Sequence, residues 1–452
     1  MPGTARQARQ DDTASPGVAF SRLVCIRCEA THPLEEIRYR CACGGLLEVR
    51  HDLERLAALH DAQAWKRLFA ERLTSLAGPH ASGVWRYHEL VLPDLPARDV
   101  ITLYEGHTGL HPMPGLRRRL RSGPLHVKHE GENPTLSFKD RGMTAGVSWA
   151  RHLGVAAVAC ASTGDTSAAL AAYAARVDGL GALVVVPRDG ITPEQLSQPI
   201  ASGARTIRLN TDFDGCIRLL EQLAARHGLY ILNSLNSIRL EGQKTIAFEM
   251  LQQLGWEPPD WVVVPVGNAG NVSAIAKGLF ELRELGLISR VPRVAGVQVE
   301  AAAPLARAFR EGRDSVEPVR AAPTQASAIR IGDPVSAPKA LAAVRRSAGV
   351  VIEVSESAMM DAKALVDASG VSICPNSGVA VAGWIQLVEE GTIGRQESAV
   401  VVATAHGIKF SEATLAYHLG DRAGTRGAHV NPPVEAEATL EALERAAGMQ
   451  AP

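Results

Sequence analysis

The sequence has no apolar run near the roughly 18 residues that a membrane-spanning helix requires. Its first twenty residues, MPGTARQARQDDTASPGVAF, lack the apolar core of a secretory signal peptide and carry Asp11 and Asp12, which argues against a transit peptide. Charge of one sign is not in excess, because 47 Lys and Arg face 48 Asp and Glu. These absences predict a cytoplasmic protein with a disordered tail over 1–20, no membrane partner and no nucleic-acid partner.

Cysteine is scarce, and four of the seven cysteines form two close pairs within 21–50: Cys25, Cys28, Cys41 and Cys43. Two turns that each offer two thiolates to one tetrahedral ion are typical of a zinc ribbon. The second pair is C-x-C rather than C-x-x-C, so a ribbon without metal stays open as the alternative. The linking segment 29–40 has three acidic residues and two arginines, which favours a structural zinc over nucleic-acid binding.

From about residue 100 onward, short β-branched runs alternate with helical stretches. Predicted strands cover 125–130, 155–161, 181–187, 206–209, 261–267, 294–300 and 398–405. This alternation predicts an α/β fold in which helices cover both faces of parallel sheets. Ligands of such sheets bind at the carboxyl ends of the strands. Apolar residues at helical spacing within 51–78 predict an N-terminal helical extension over 51–100.

Two predicted strand-to-helix junctions carry polar residues suited to chemistry. In GENPTLSFKDRGM (131–143), Lys139 lies at a helix entrance, where it is either a surface lysine or a nucleophile. In ASTGDTSAAL (161–170), five small or polar residues precede a helix, whereas an ordinary helix cap needs only one. Hydroxyls and backbone N–H groups at that position predict a loop that binds a carboxylate or a phosphate.

Two further junctions complete the set. In VPVGNAGNVS (264–273), small residues between a strand and a helix predict an anion cup, although neither a P-loop nor a dinucleotide fingerprint is present. In VVATAHGIKF (401–410), Thr404 ends a strand. Pyridoxal phosphate needs a lysine, a phosphate cup, a partner for its ring nitrogen and a polar loop for the substrate carboxylate. The four junctions together predict this cofactor.

The motifs NPTLSFKDRGM, STGDTSAALAAYAAR, NSLNSIRLEGQKT, PVGNAGN, SAIRIGDPVS, ICPNSGVA and TAHGIKF occur in an order that resembles the threonine synthase family. This is a fold-type II pyridoxal-phosphate family, and the similarity is greatest to its plant-type branch. The resemblance covers about 23–420. It implies two doubly wound parallel-sheet lobes: a large cofactor-binding lobe over 101–150 and 240–420, and a small substrate-binding lobe over 151–239. A zinc-ribbon-like segment precedes them, and a tail over 421–452 follows.

The resemblance also implies residue roles. Lys139 would carry the cofactor, Asp165 would lie beside its 3-hydroxyl in a protonated or hydrogen-bonded state, and Thr404 would face its ring nitrogen. The residues implied for the cofactor phosphate are Gly267, Asn268, Ala269, Gly270 and Asn271. Those implied for the substrate carboxylate are Ser162, Thr163 and Thr166. Those implied for the substrate phosphate are Asn233, Ser234, Arg239 and Lys244. Leu136 departs from the family, which usually has Gly there.

The activity implied is conversion of O-phospho-L-homoserine and water to L-threonine and phosphate, by a homodimer. Cysteate synthase, which acts on phosphoserine and sulfite, is the alternative on the same scaffold, and the two substrates differ by one methylene, worth only about 1–3 kcal/mol in discrimination. Threonine dehydratase is disfavoured because NSLNSIRLEGQKT indicates a phosphorylated substrate. A non-catalytic sensor is disfavoured because both the lysine and the cup are present.

Overall fold

The structure is a computed structural model that describes residues 19–162, 164–188, 191–420 and 427–449. The predicted substrate ligand Thr163 lies outside the described residues, as do 1–18 of the predicted N-terminal tail and 421–426 and 450–452 of the C-terminal tail. The predicted α/β class is confirmed. Among the described residues, no helix combines the length and the hydropathy that a bilayer crossing demands.

The strands of the described chain form three sheets. They are β1 (Ser21–Cys25), β2 (Thr31–His32), β3 (Leu47–His51), β4 (Leu110–Pro112), β5 (Leu125–His129), β6 (Ala157–Ala161), β7 (Gly181–Pro187), β8 (Arg205–Leu209), β9 (Tyr230–Ile231), β10 (Trp261–Pro265), β11 (Arg293–Val299), β12 (Val350–Val354) and β13 (Ala399–Ala403).

The helices alternate with these strands after the N-terminal segment. They are α1 (Leu53–Leu59), α2 (Ala62–Arg72), α3 (His88–Val91), α4 (Pro114–Leu120), α5 (Lys139–His152), α6 (Asp165–Ala174), α7 (Pro193–Ala201), α8 (Phe213–His227), α9 (Ser237–Gln243), α10 (Thr245–Gln253), α11 (Gly270–Glu284), α12 (Pro304–Arg310), α13 (Ala337–Arg346), α14 (Glu356–Asp367), α15 (Pro375–Glu389), α16 (Ser411–Leu419) and α17 (Leu440–Ala446).

The largest sheet has six strands in the order β12-β11-β10-β13-β5-β4, and only β4 pairs antiparallel in it. Its central strands are buried along their whole length because they are runs of valine and alanine covered on both faces. Side chains alternate between the two faces. Val262, Val264 and Val400 pack into one core, and Val263 and Val401 pack into the other.

The second sheet is parallel, with four strands in the order β8-β7-β6-β9. The third is the small antiparallel sheet β2-β1-β3. The four clustered cysteines lie at the end of β1 and in the neighbouring turns. Because β10, β13 and β5 are neighbours and parallel, the loops that follow them meet at one edge of the large sheet. This edge is where a ligand of a doubly wound sheet is expected.

Candidate active site

Lys139 is the first residue of α5, and the turn before it is held by the loop that follows β13. The Phe138 N–H donates to the Thr404 carbonyl at 2.9 Å, and the His406 N–H donates to the Leu136 carbonyl at 3.0 Å. The Lys139 ammonium lies 4.2 Å from the centroid of the Phe138 ring. Burial lowers the pKa of Lys139 to about 7, the Arg239 guanidinium adds to the effect, and the Asp165 carboxylate opposes it. This amine is therefore suited to nucleophilic and basic chemistry near neutral pH.

Leu136 has a φ of 65°, in the left-handed region that favours glycine. Its N–H donates to the Asn133 carbonyl at 2.8 Å, and its carbonyl accepts from the His406 N–H. Hydrogen bonds therefore fix the backbone on both sides of the residue. The glycine expected from the family resemblance is thus explained by backbone geometry. The leucine keeps the same turn with a side chain that is only partly buried.

The helix that begins at Lys139 is anchored by a buried ion network. The Arg141 guanidinium contacts both carboxylate oxygens of Glu130, at 2.6 and 2.8 Å, and Glu249 at 2.9 Å. Glu249 also accepts from Lys128 at 2.7 Å and from Arg86 at 3.0 Å. Sequence reasoning missed this network, because its five members are spread over residues 86–249 and no local pattern connects them.

The predicted anion cup lies between β10 and α11. Ala269 has a φ of 61°, which turns the chain sharply into the helix. A Cβ atom on Gly267 would lie 2.9 Å from the Ile329 Cα, so the backbone of the cup passes too close to its neighbour for a side chain. The Asn268 Oδ1 accepts from the Val335 N–H at 2.6 Å. Both side-chain polar atoms of Asn271 are buried without a hydrogen-bond partner among the described residues, as expected where a polar ligand belongs.

In the polar run before α6, the N-cap residue is Gly164, and the Ser162 hydroxyl accepts hydrogen bonds from the backbone around it. The Ser162 Oγ accepts from the Gly164 N–H at 2.9 Å and from the Ser167 N–H at 3.1 Å. Ser162 and Thr166 both line the cavity beside Lys139. Ser162 therefore both orders the backbone at the start of α6 and lines the cavity, and Thr166 lines the cavity beside it.

Asp165 and Thr404 each have a partner that sequence reasoning missed. The Lys409 ammonium lies 2.8 Å from the Asp165 Oδ1 and donates to the Thr135 carbonyl at 2.9 Å. Asp165 was predicted to be protonated or hydrogen-bonded, and it has a buried cation as its neighbour. The Thr404 Oγ1 lies 3.3 Å from the Ser377 Oγ, at the start of α15.

The residues predicted to bind a substrate phosphate divide into two groups. Asn233 and Ser234 line the cavity, although the Asn233 amide also pairs with both backbone groups of Ala161, at 3.0 and 2.6 Å. Arg239 is buried behind this wall. Its Nη1 donates to the Leu232 carbonyl at 2.8 Å, and its Nε and Nη2 have no hydrogen-bond partner among the described residues.

Lys244 lies elsewhere, and its predicted role needs correction. Its ammonium contacts Glu241 at 2.5 Å, Glu281 at 2.7 Å and the His51 Nε2 at 3.0 Å. It does not line the cavity, because two buried carboxylates hold it on the side of α9 that faces the small antiparallel sheet. His51, Glu241 and Glu281 have the spacing of metal ligands. The Lys244 ammonium occupies the point at which they converge.

The cavity brings most of the predicted site together. The predicted residues that line it are Lys139, Ser162, Asp165, Thr166, Asn233, Ser234, Gly267, Asn268, Ala269, Gly270, Asn271 and Thr404. Lining residues not predicted are Phe213, Gln243, Ile329 and Asn376, among others. Asn376 follows Cys374 in ICPNSGVA, a motif that carries the resemblance, so this position had a sequence signal.

The four clustered cysteines converge near the small sheet. Cys25 Sγ lies 3.5 Å from Cys43 Sγ, Cys28 Sγ lies 3.6 Å from Cys41 Sγ, and all four sulfur atoms lie within 4.8 Å of one another. A tetrahedral zinc with bonds of about 2.3 Å places its sulfur ligands about 3.8 Å apart. A Cβ on Gly45 would lie 2.6 Å from Cys25 Sγ, so the turn leaves room only for the thiols.

Comparison with known proteins agrees with this geometry. A family profile described as "Pyridoxal-phosphate dependent enzyme" matches residues 101–405. Threonine synthase 2, chloroplastic, of Arabidopsis thaliana is 43% identical over 415 residues, which cover 90% of this chain and 80% of that protein. The threonine synthase of Methanocaldococcus jannaschii is 43% identical over 395 residues, which cover 86% of this chain and 93% of that protein. The chain belongs to the threonine synthase family.

A solved structure has the same fold as this chain over nearly its full length. The crystal structure of threonine synthase from Escherichia coli superposes with a TM-score of 0.64 and covers 94% of both chains at 20% identity. The processed form of threonine deaminase isoform 2 from Solanum lycopersicum superposes with a TM-score of 0.60 and covers 73% of this chain. The predicted fold-type II architecture is confirmed.

The residues around the cavity suit the pyridoxal phosphate that the family uses. A lysine with a depressed pKa is the group that a pyridoxal aldehyde requires. The unpartnered Asn271 amide and the N-terminus of the long helix α11 suit a monophosphate. Thr404, whose hydroxyl lies 3.3 Å from that of Ser377, offers a neutral hydroxyl to the cavity.

Proposed function

We propose that this chain converts O-phospho-L-homoserine and water to L-threonine and inorganic phosphate. One observation carries the proposal: buried, unpartnered polar atoms lie at two separate places around a single cavity beside the Lys139 amine. Asn271 on α11 lines the cavity, and Arg239 on α9 lies behind the wall that Asn233 and Ser234 form. A pyridoxal-phosphate enzyme with a phosphorylated amino-acid substrate needs two such anion sites, whereas one that acts on an unphosphorylated amino acid needs a single phosphate site.

The proposed roles follow from these positions. Lys139 carries the cofactor, and Gly267, Asn268, Ala269, Gly270 and Asn271 hold its phosphate. Asp165 lies beside the 3-hydroxyl and Thr404 beside the ring nitrogen. Ser162, Thr163 and Thr166 hold the substrate carboxylate, and Asn233, Ser234 and Arg239 receive the substrate phosphate. When bound, the cofactor supplies an electron sink for carbanion chemistry.

The protein's own part in the reaction is proton transfer and charge neutralisation. The Lys139 Nζ, once free, takes the α-proton of the substrate and later a β-proton, which a pKa near 7 allows at neutral pH. Arg239 neutralises the phosphate as it leaves the γ-carbon. The γ-carbon gains a proton to become the methyl group, water adds its hydroxyl at the β-carbon, and a proton returned to the α-carbon completes threonine. Lys409 keeps the Asp165 charge balanced within the buried site.

Phosphate release and threonine formation, measured together with O-phospho-L-homoserine, test this function. We expect the two products in equal amounts, and no turnover after Lys139→Ala. Phosphate release with phosphoserine and sulfite, but not with phosphohomoserine, would replace the proposal with the cysteate synthase activity.

We also propose that Cys25, Cys28, Cys41 and Cys43 bind one structural zinc ion. The support is that the four sulfur atoms lie within 4.8 Å of one another and that there is no room for a side chain at Gly45. We expect one zinc per chain by elemental analysis, and loss of that zinc when Cys28 and Cys43 are replaced by Ser. If protein produced in zinc-containing medium is found to hold no zinc, the site is contradicted.

Three further proposals concern the whole chain. The large lobe comprises 101–150 and 240–420 and the small lobe 151–239, in keeping with the strands of the two parallel sheets. The chain works as a homodimer, which light scattering would test. It resides in the cytoplasm, in keeping with seven free cysteines, which are typical of a reducing compartment.

A further inference from the structure

The small antiparallel sheet and the cysteine turns that it carries, residues 21–51, are called the ribbon here. Its edge strand β3 faces α9, α11 and α13, and side chains of these helices donate hydrogen bonds to the carbonyls of the strand. The Ser237 Oγ and the Lys339 Nζ each donate to the Leu47 carbonyl at 2.5 Å. The Lys277 Nζ donates to the Val49 carbonyl at 2.7 Å. An edge strand normally leaves these groups to water, so here the edge is a built interface.

A second contact reaches the strand that leads to the cavity. The Ile231 N–H donates to the Tyr39 hydroxyl at 2.6 Å, and the rings of Tyr39 and Tyr230 are 6.3 Å apart. Tyr39 lies in the ribbon between the two cysteine pairs. β9 has only two residues, and its sheet pairing with β6 involves just those two. Tyr39 therefore satisfies a backbone donor on a strand that has little regular pairing of its own.

A third contact lies near the end of residues 230–243, the segment that begins with β9. The His51 Nε2 lies 2.8 Å from the Glu241 carboxylate, and its Nδ1 lies 2.8 Å from the Ser21 hydroxyl. All three residues are buried. Glu241 is two residues beyond Arg239 on α9. The ribbon thus holds residues 230–243 at the start, at Ser237 and near the end.

Residues 230–243 form the wall of the cavity that includes Asn233, Ser234 and Gln243, with Arg239 behind it. We propose that the ribbon is a positioning element for this segment, and that Tyr39 and Ser237 are positioning residues for the substrate phosphate. The inference rests on the proposed function, because it takes residues 233–239 as the phosphate site. The competing explanation is that α5 alone fixes α9, whose Gly242 passes so close to Arg141 that a Cβ would clash with its carbonyl.

Steady-state kinetics of Tyr39→Phe and Ser237→Ala, alone and combined, separate the two explanations. Each change removes one hydroxyl at the interface and leaves every proposed ligand in place. We expect KM for the phosphorylated amino acid to rise about tenfold for each variant while kcat changes less than about twofold, because uniform binding is lost. Tyr104→Phe, at a tyrosine that is 55% exposed, is the matched control and should change neither constant. Unchanged KM in the double variant, or an equal fall in kcat, would overturn the proposal.

Hydrogen exchange followed by mass spectrometry gives a readout that does not depend on turnover. In Tyr39→Phe, and in the wild-type chain after metal removal by a chelator, we expect faster amide exchange in 230–243 and unchanged exchange in 261–271. Faster exchange in both segments would indicate general destabilisation, and no change in either would leave α5 as the determinant. Both results contradict the inference. Failure of the proposed function would instead appear as wild-type protein that releases no phosphate.

Discussion

The lysine at the entrance of α5 draws its reactivity from its surroundings. Burial and the nearby Arg239 guanidinium both disfavour the charged ammonium, and they outweigh the attraction of Asp165. Arg239 is itself buried, and burial lowers its own pKa to about 10. The protonated Lys139 and Arg239 therefore repel each other, and a bound anion would reduce this repulsion.

The depressed pKa of Lys139 predicts how cofactor loading depends on pH. Only the neutral amine attacks an aldehyde, so loading of the cofactor-free chain should be fast above the pKa and slow below it. We expect the rate to reach half its maximum near pH 7, and Arg239→Met to move that midpoint upward because a repelling cation is gone. The rate is measured by visible absorbance after pyridoxal phosphate is added. A midpoint above about pH 9 in the wild type would contradict the burial of this amine.

Leu136 supports a second prediction at the residue scale. Replacement by Gly removes left-handed strain of about 1–2 kcal/mol but adds backbone entropy to the unfolded chain, which costs about 0.5–1 kcal/mol. We expect Leu136→Gly to change the free energy of unfolding by at most about 1.5 kcal/mol, in the stabilising direction. Leu136→Val should destabilise by about 1 kcal/mol or more, because β-branched residues tolerate this conformation poorly. Urea unfolding measures both, and a marked loss in the glycine variant would contradict the account.

At the residue scale, the sequence predicts groups that follow one another along the chain and misses those that meet across it. Lys139 and the 267–271 cup were predictable because each lies in one short run between a strand and a helix. Lys409 shows no such pattern, since its partner Asp165 is distant in sequence, at the start of α6. Lys244 was mispredicted for the same reason, because Glu281 and His51 reach it from α11 and β3.

At the scale of elements, one carboxylate ties several of them together. Glu249 on α10 accepts from Arg141 on α5, from Lys128 on β5 and from Arg86, and also from the backbone of His107 and Thr108. These three cations hold the pKa of Glu249 well below its usual range although burial alone would raise it. The network fixes the helix that begins at Lys139.

The depressed pKa of Glu249 gives a pH dependence of stability. A group whose folded pKa lies below its unfolded value of 4.5 stabilises the fold above that value, and the contribution is lost as pH falls further. We expect Glu249→Gln to lower the free energy of unfolding by about 3–5 kcal/mol at pH 7, because three buried cations lose their partner. The difference from wild type should shrink below about pH 4. Urea unfolding at both pH values measures it, and a difference independent of pH would contradict this role.

Among the described residues, seven of the ten strands in the two larger sheets were predicted, β4, β9 and β12 were not, and the strand order was not predictable. Runs such as WVVVP and AVVVA identify buried parallel strands by composition alone. Nothing in those runs specifies that β13 lies between β10 and β5, which depends on the packing of the whole lobe. β4 was missed, because three residues that include a proline give no strand pattern.

At the scale of the molecule, two sheets supply the residues that line one cavity, and the third sheet contacts one wall of it. The six-stranded sheet supplies the Lys139 turn, the cup and Thr404, and the four-stranded sheet supplies Ser162 and Asp165. The ribbon contacts the segment between them, which carries Asn233 and Arg239. The family resemblance covers all three sheets, and the details of their arrangement depend on contacts between distant parts of the chain.

The most direct test of the central claim is the stoichiometry of the reaction with O-phospho-L-homoserine. Inorganic phosphate and L-threonine are measured in the same sample, with the wild-type chain loaded with pyridoxal phosphate and with Lys139→Ala as the control. The account predicts one threonine for each phosphate released, and neither product from the variant. Phosphate released without threonine, or turnover that survives in Lys139→Ala, would contradict it.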